Sequence, residues 1–148
     1  MTHVRKQIRD LAETAVTGLS TTGSRVYSDR AYSIPQTKLP ALRVFFSSET
    51  GEHQTGGMGS DPTMHRRAIL NVAGYADGAN LDDTLDQIAL EVETAIDGAG
   101  DFGGRSVGNS IYVGTDLVLE EGDSRTGLII LQWNVQYRTA FSNPGVAL

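Results

Sequence analysis

Apolar residues recur at helical spacing in two segments of the chain. In residues 3–19 they follow steps of three and four with charged residues on the opposite side, and the same spacing returns after Asn80 and stops at Gly98. A single apolar face at this period is typical of an amphipathic helix packed on a core. We therefore predict two helices, the first capped by Thr2 and the second by Asn80. The apolar positions are Val4, Ile8, Leu11, Ala12, Ala15, Val16, Leu19, Leu81, Leu85, Ile88, Ala89, Val92 and Ile96.

Alternation of apolar and polar residues predicts the strands, because side chains two apart lie on one face of a sheet. The clearest example is 128–141, where Ile129 to Phe141 alternate with polar residues and Trp133 is expected in the core. Further strands are predicted at 25–32, 41–48, 65–75 and 111–119. In the last of these, the residues expected to share one buried face are Ile111, Val113, Leu117 and Leu119.

Residues 50–64 carry four glycines and a proline and are almost without apolar residues other than Met58 and Met64. This composition predicts one long mobile loop, which joins the strands at 41–48 and 65–75 into a hairpin. Long loops in compact domains are in most cases functional or disordered.

The predicted order is helix, strand, hairpin, helix, hairpin. Two amphipathic helices need a sheet face to cover, so the sequence predicts an α+β fold with a largely antiparallel or mixed sheet and both helices on one face. A length of 148 residues favours a single domain over 1–148.

Composition excludes several classes of function. The chain has a net charge of −6, which argues against a nucleic-acid-binding domain. It has no cysteine, and this removes disulfides, thiolate zinc sites and cysteine nucleophiles. No apolar run approaches the ~20 residues that cross a bilayer, and no secretory signal is visible, so we expect a soluble protein made inside the cell without membrane contact.

No catalytic motif is present in the sequence, and we expect neither an enzyme nor a bound cofactor. The three histidines, His3, His53 and His65, are not spaced to share a metal. The best carboxylate cluster is a weak candidate for a divalent-cation site. The simpler interpretation is that its acidic residues favour the positive end of the second helix. The cluster consists of Asp77, Asp82, Asp83 and Asp86.

Several residues are candidates for contacts with another subunit. Arg66 and Arg67 lie beside the predicted loop; the alternative is that they protect an edge strand from unwanted pairing. Exposed methionines often mark an adaptable contact surface, and the alternative is that one of them packs on the body. The strand at 41–48 has apolar residues on both faces, so it is either covered on both faces or meets a partner on one of them. The complete set of candidates is Arg43, Phe45, His53, Met58, Met64, Arg66 and Arg67.

The order of the elements resembles the tail terminator, or tail completion, family of long-tailed bacteriophages and related particles, whose members are minor tail proteins of the U-like type. The resemblance spans nearly the whole chain and contains no catalytic signature. It is carried by the opening helix 3–19, the proline-led stretch Leu39-Pro40-Ala41-Leu42-Arg43-Val44-Phe45, the run 67–77 with the helix start Asn80-Leu81-Asp82-Asp83, and the terminal strand 126–139 after an acidic turn.

The resemblance implies a structural protein of the virion that forms a ring, commonly a hexamer, on the head-proximal end of the tail tube. Such a ring ends tube growth and offers the surface for head-tail joining. The implied partners are further copies of the chain, the tail tube protein and a head-tail connector or neck protein. DNA passes the pore without specific binding, and assembly takes place in the bacterial host cytoplasm.

Three alternatives stay open. The chain could be another neck or tube subunit of the same particle, since these share size and architecture. It could instead be a small dimeric α+β ligand-binding domain that uses residues 58–64 as a lid. The third alternative is an enzyme with a metal at residues 77–86.

Overall fold

The computed structural model describes residues 2–28, 34–54, 62–121 and 125–148. The elements within these ranges are α1 Val4–Ala15, β1 Val26–Tyr27, a 3-10 turn Gln36–Lys38, β2 Ala41–Gln54, β3 Thr63–Asp77, α2 Leu81–Gly98, β4 Ile111–Glu121, β5 Arg125–Ala140 and β6 Asn143–Ala147. The six strands form one mixed sheet in the order β1-β2-β3-β5-β4, with β6 beside the end of β5. Only β1 and β2 run parallel; the other neighbours are antiparallel. The predicted α+β class is confirmed.

The second helix begins after Asn80 as predicted, whereas the first has a different cap residue. In α1 the cap is His3, whose Nδ1 accepts a hydrogen bond from the Arg5 amide at 3.0 Å, and not Thr2. In α2 the residue before the first turn is Asn80, but its backbone is left-handed (φ 58°) and its side chain makes no capping bond. Its carbonyl oxygen instead accepts from the Thr84 amide at 3.0 Å.

The first helix also ends earlier than the spacing of apolar residues predicts. It stops at Ala15, and the next residue, Val16, is fully buried although it lies outside the helix. Gly18 adopts φ +88° in the following turn, a conformation that costs glycine little. The apolar spacing continues beyond the helix because this turn packs on the same core.

A single core lies between the sheet and the helices. Val72 of β3 pairs with Val44 of β2 and Leu131 of β5, so buried side chains form a continuous layer across the central strands. Trp133 is 4% exposed, which confirms its predicted place. The helices contact each other, α1 packs on β2, and α2 packs on β3 and β5. The largest fully buried side chains include Tyr137, Phe102, Ile8, Leu42, Leu70, Leu85 and Ile88.

The hairpin of β2 and β3 is longer than predicted. Pairing continues from Glu49 opposite Ala68 to Gln54 opposite Thr63, so residues 50–54 and 63–64 are strand and not loop. Their polar composition is compatible with strand because the side chains of 50–54 are exposed. Met58 and the rest of 55–61 lie outside the described residues, as does the predicted turn at 122–124.

Two further strand boundaries differ from the prediction. Among the described residues, β1 consists of Val26–Tyr27, which pair with Leu42 and Arg43 of β2, and the predicted strand residues 29–32 lie outside the described ranges. β5 ends at Ala140, so Phe141 leaves the apolar face of the strand and is 53% exposed. In the described part of the chain, no helix is long and apolar enough to cross a membrane.

Candidate interaction surface

The edge strand β4 exposes six large apolar side chains. Within the described residues it pairs with β5 alone, which leaves its other edge open. The prediction of one buried face is wrong, since no described side chain of β4 is buried. The six exposed side chains are Ile111 (58%), Tyr112 (48%), Val113 (56%), Leu117 (56%), Val118 (45%) and Leu119 (49%).

A β-bulge distributes these side chains over both faces of the sheet. The register with β5 shifts between Tyr112 and Gly114, so Val113 is the extra residue. As a result, Tyr112 and Leu117 lie opposite the core residues Trp133 and Ile129. Ile111 and Val118 lie opposite Asn134 and Leu128, on the face turned away from the helices. Because α2 packs on β3 and β5, the core side of β4 is also left exposed.

Such a strand is unusual on a protein that acts alone. Exposed edge strands are ordinarily protected by charged side chains, proline, a bulge or shortness. β4 has 11 residues and neither lysine nor proline, and its bulge and the acidic residues Asp116 and Glu120 still leave six large apolar side chains exposed. Its six exposed apolar side chains line this edge on both faces of the sheet. Exposed apolar surface that is contiguous in this way marks a site that binds another protein or a ligand.

An apolar groove extends the β4 surface onto the sheet face that the helices leave uncovered. Its volume is about 270 Å³. Val118 belongs to both the groove and β4, and Leu39, which precedes β2, also lines the groove. The other lining side chains include Ile34, Tyr75, Leu128 and Thr126.

A polar network holds the N-terminus of α1 against the β2–β3 hairpin. The carboxylate of Glu49 accepts hydrogen bonds from the guanidinium groups of Arg5 (3.0 Å) and Arg66 (3.1 Å) and from the hydroxyl of Tyr137. Arg66 also donates to the hydroxyl of Thr139 at 3.2 Å. Since β3 lies between β2 and β5, Arg66 does not protect an edge strand; it belongs to this network.

The network changes the acidity of its members. Burial alone would raise the pKa of Glu49, but the Tyr137 hydroxyl and the two arginines outweigh burial and lower the pKa of this carboxyl. Burial and the hydrogen bond to Glu49 together raise the pKa of Tyr137. Burial, followed by the charges of Arg5 and Arg66, lowers the pKa of His3. These shifts accompany a network of ion pairs and hydrogen bonds that connects four elements, α1, β2, β3 and β5.

The remaining contact candidates divide between two places. Arg67 is exposed on the sheet face away from the helices, the same face that carries the half-buried Arg43 and Phe45. His53 and Met64 pair with each other near the end of the hairpin. The His53 ring lies 4.8 Å from that of Phe141, in an edge-to-face arrangement. Only Met58 lies outside the described residues.

The acidic candidates do not converge. Asp77 accepts a hydrogen bond from the Gln36 side chain at 3.1 Å, while Asp82 and Asp83 occupy the first turn of α2 and Asp86 is exposed further along. Across the described ranges, no three His, Asp or Glu side chains are placed to hold a metal ion. The first-turn position of Asp82 and Asp83 agrees with the interpretation as helix-start residues.

Sequence reasoning missed the β4 surface, although the sequence contains a signal for it. Strict alternation fails here, because three consecutive apolar residues, 111–113, precede Gly114-Thr115-Asp116 and three more, 117–119, follow. Consecutive apolar residues in a strand place apolar side chains on both faces. In a strand at the edge of a sheet, that pattern indicates an interaction surface.

Comparison with known proteins gives a distant similarity to solved structures. No protein-family model and no curated protein matches the chain. Among solved structures, the chain is similar to one from the virion of a native gene transfer agent particle. The sequence identity is 20%, the match covers 90% of this chain and 92% of that one, and the TM-score is 0.46. A similarity at this level transfers neither family nor function to this chain.

Proposed function

We propose that this chain is a structural assembly protein that forms a ring on the head-proximal end of a phage-like tail tube. There it ends tube polymerisation and provides the surface for head-tail joining. The observation that carries this proposal is the open apolar edge of β4, which is suited to binding another protein surface. The chemistry of the proposed function is non-covalent, and no enzymatic step is part of it.

A closed ring needs two different patches on each subunit, since neighbours in a ring meet head to tail. The chain offers β4 at one edge of the sheet. The second patch is the outer sheet face near Arg43, Phe45 and Arg67. His53 and Met64 lie near the end of the hairpin on the opposite face, the one that also carries Arg66. The polar network around Glu49 supports this role, because it fixes the base of the hairpin to α1.

The proposed partners follow from this role. They are further copies of the chain in a hexameric ring, the tail tube protein, and a head-tail connector or neck protein. The net charge of −6 keeps DNA from adhering as it passes the pore. The order of elements described above, which resembles the tail terminator family, supports this role. Another neck or tube subunit shares size and architecture, and the following experiment distinguishes a tube subunit.

The proposal is tested by adding the purified chain to the polymerising tail tube protein of the same particle. We expect shorter tubes that carry a ring on one end only. The ring should have a mass of about 95 kDa, six times the 15.9 kDa of one chain. Tubes of unchanged length without a terminal ring would contradict the proposal. Incorporation of the chain along the whole tube would identify a tube subunit instead.

A further inference from the structure

The sequence of β4 has an approximate symmetry about its centre. The apolar residues 111–113 and 117–119 flank Gly114, Thr115 and Asp116. An antiparallel pair of identical strands matches each strand with its own reverse. A segment that is apolar at both ends and polar in the middle therefore matches itself when a two-fold axis passes through Thr115.

The bulge preserves this match on both faces of the sheet. With Thr115 opposite its own copy, Asp116 lies opposite Gly114. If the extra residue Val113 is left unpaired, as it is against β5, the next pairs are Tyr112 with Leu117 and Ile111 with Val118. Tyr112 and Leu117 both lie on the helix-bearing face, and Ile111 and Val118 both lie on the other. Four of the six exposed apolar side chains thus meet an apolar partner on their own face.

We propose that β4 binds β4 of a second copy of this chain, as an antiparallel strand pair with its two-fold axis at Thr115. The pair joins two sheets into one and covers the apolar side chains of both edges. It contributes backbone hydrogen bonds along the open edges together with burial of apolar surface.

Apolar exposure and charge both favour a second copy as the occupant. Each copy exposes six large apolar side chains along β4, and pairing two such edges removes apolar surface of both copies from water. Centring the pair on Thr115 also avoids a like-charge contact, which an axis through Asp116 would create by placing two carboxylates opposite each other.

Another stretch of sheet edge within the described residues fits β4 less well. Residues 47–54 of β2 pair with β3 on one side only. Their sequence, Ser-Ser-Glu-Thr-Gly-Glu-His-Gln, is polar throughout and would leave the apolar side chains of β4 without apolar partners. The match of β4 to itself is therefore better than a head-to-tail match of β4 to β2.

In the proposed function, the β4 edge contacts the tail assembly, and the β4 pair covers this same edge in the free protein. Only this consequence of the pair rests on the proposed function. In the free protein, each copy keeps the apolar edge of the other away from solvent. On the tail, the pair opens, and β4 exchanges its partner for the growing assembly. The dimer is thus a storage form that prevents premature assembly.

Because the chain has no cysteine, one introduced cysteine reports the symmetric contact directly. Thr115→Cys places two thiols across the proposed axis. Opposite residues of an antiparallel pair have Cα atoms about 4.5 to 5.5 Å apart, which is within the range that a disulfide bridges. We expect mild oxidation to give a covalent dimer and no larger species. Thr94→Cys, on the exposed side of α2, is the matched control and should stay monomeric.

Sedimentation of unmodified protein provides the second arm of the test. The wild type should have twice the 15.9 kDa mass of one chain, and Leu117→Lys with Val118→Lys should reduce it to a single chain. The control Leu90→Lys, at a 59% exposed leucine of α2, should remain dimeric. Circular dichroism melting confirms that each variant is folded. A monomeric wild type, or a Thr115→Cys chain that fails to cross-link, would overturn the proposal.

The two proposals fail separately. If the free protein is monomeric and the purified chain still caps tubes, the β4 pair is wrong and the proposed function stands. If the β4 pair forms and the chain has no effect on tubes, the proposed function is wrong and the pair stands.

Discussion

The guanidinium carbon of Arg66 lies 5.9 Å from the centroid of the Tyr137 ring, and both side chains donate a hydrogen bond to the carboxylate of Glu49. Arg66 is on β3, Tyr137 on β5 and Glu49 on β2, so this contact ties the three neighbouring strands together. Arg5 brings α1 to the same carboxylate. The network therefore fixes the hairpin to the body at the point where the apolar core gives way to polar residues.

Glu49→Gln tests the contribution of this network to stability. The variant keeps the shape of the side chain but removes the charge that Arg5 and Arg66 share, so we expect a loss of about 1–3 kcal/mol in the free energy of unfolding. Glu52→Gln, an exposed change on the same strand, is the control and should stay within about 0.5 kcal/mol of the wild type. Urea denaturation measures both, and equal stabilities of the two variants would contradict the role of the network.

The lowered pKa values of His3 and Glu49 predict a loss of stability in acid. A group whose pKa is lower in the folded protein binds its proton first in the unfolded chain, so each fall in pH favours unfolding. For His3 the loss begins below its usual pKa of 6.5, and for Glu49 below 4.5. The melting temperature should therefore fall from about pH 7 downward, with a second decline below about pH 4.5.

His3→Asn separates the two parts of this pH dependence. Asparagine is also a good N-cap, so the variant should keep α1 while losing the titrating ring. We expect its melting temperature to stay level between about pH 7 and pH 5, where that of the wild type declines. Identical profiles for the two proteins in this range would show that His3 does not carry the effect.

Gly74 is a position where the packing leaves no room for a side chain. A Cβ atom there would lie 2.7 Å from Cγ2 of Ile88 and 3.0 Å from Cγ2 of Ile129. Gly74→Ala should therefore destabilise the protein by about 1–3 kcal/mol, because α2 has to shift away from β3. Gly98→Ala is the control, since no neighbouring atom lies within 4 Å of the corresponding position at the end of α2. The melting temperatures of both variants test this prediction. A Gly74→Ala protein as stable as the wild type would show that α2 is loosely packed.

Trp133 joins the core to the β4 edge. It is 4% exposed, and its ring lies 6.0 Å from that of Tyr112. We expect Trp133→Ala to cost about 3–5 kcal/mol, as truncation of a buried large aromatic does. Leu90→Ala, at an exposed leucine, should change stability by less than about 0.5 kcal/mol. An unchanged melting temperature for Trp133→Ala would place this side chain on a surface.

The elements that follow a simple period could be predicted from the sequence. The helical stripe of α2 and the alternation from Ile129 to Tyr137 depend on local spacing, and both were correctly assigned. The role of Arg66 was not predictable, because it depends on Glu49 and Tyr137, which are distant in the sequence. The exposure of β4 depends on strand order: its apolar residues would be buried in a central strand and are exposed because β4 lies at the edge.

The central claim is that this chain acts in the assembly of a phage-like tail. It is tested most directly by electron microscopy of particles produced in cells that lack the chain, with wild-type and Leu117→Lys chains returned separately. Without the chain, we predict tails of irregular and excessive length that are not joined to heads. The wild-type chain should restore uniform joined particles, and the Leu117→Lys chain should not. Particles of normal tail length with heads attached, produced in the absence of the chain, would contradict the account.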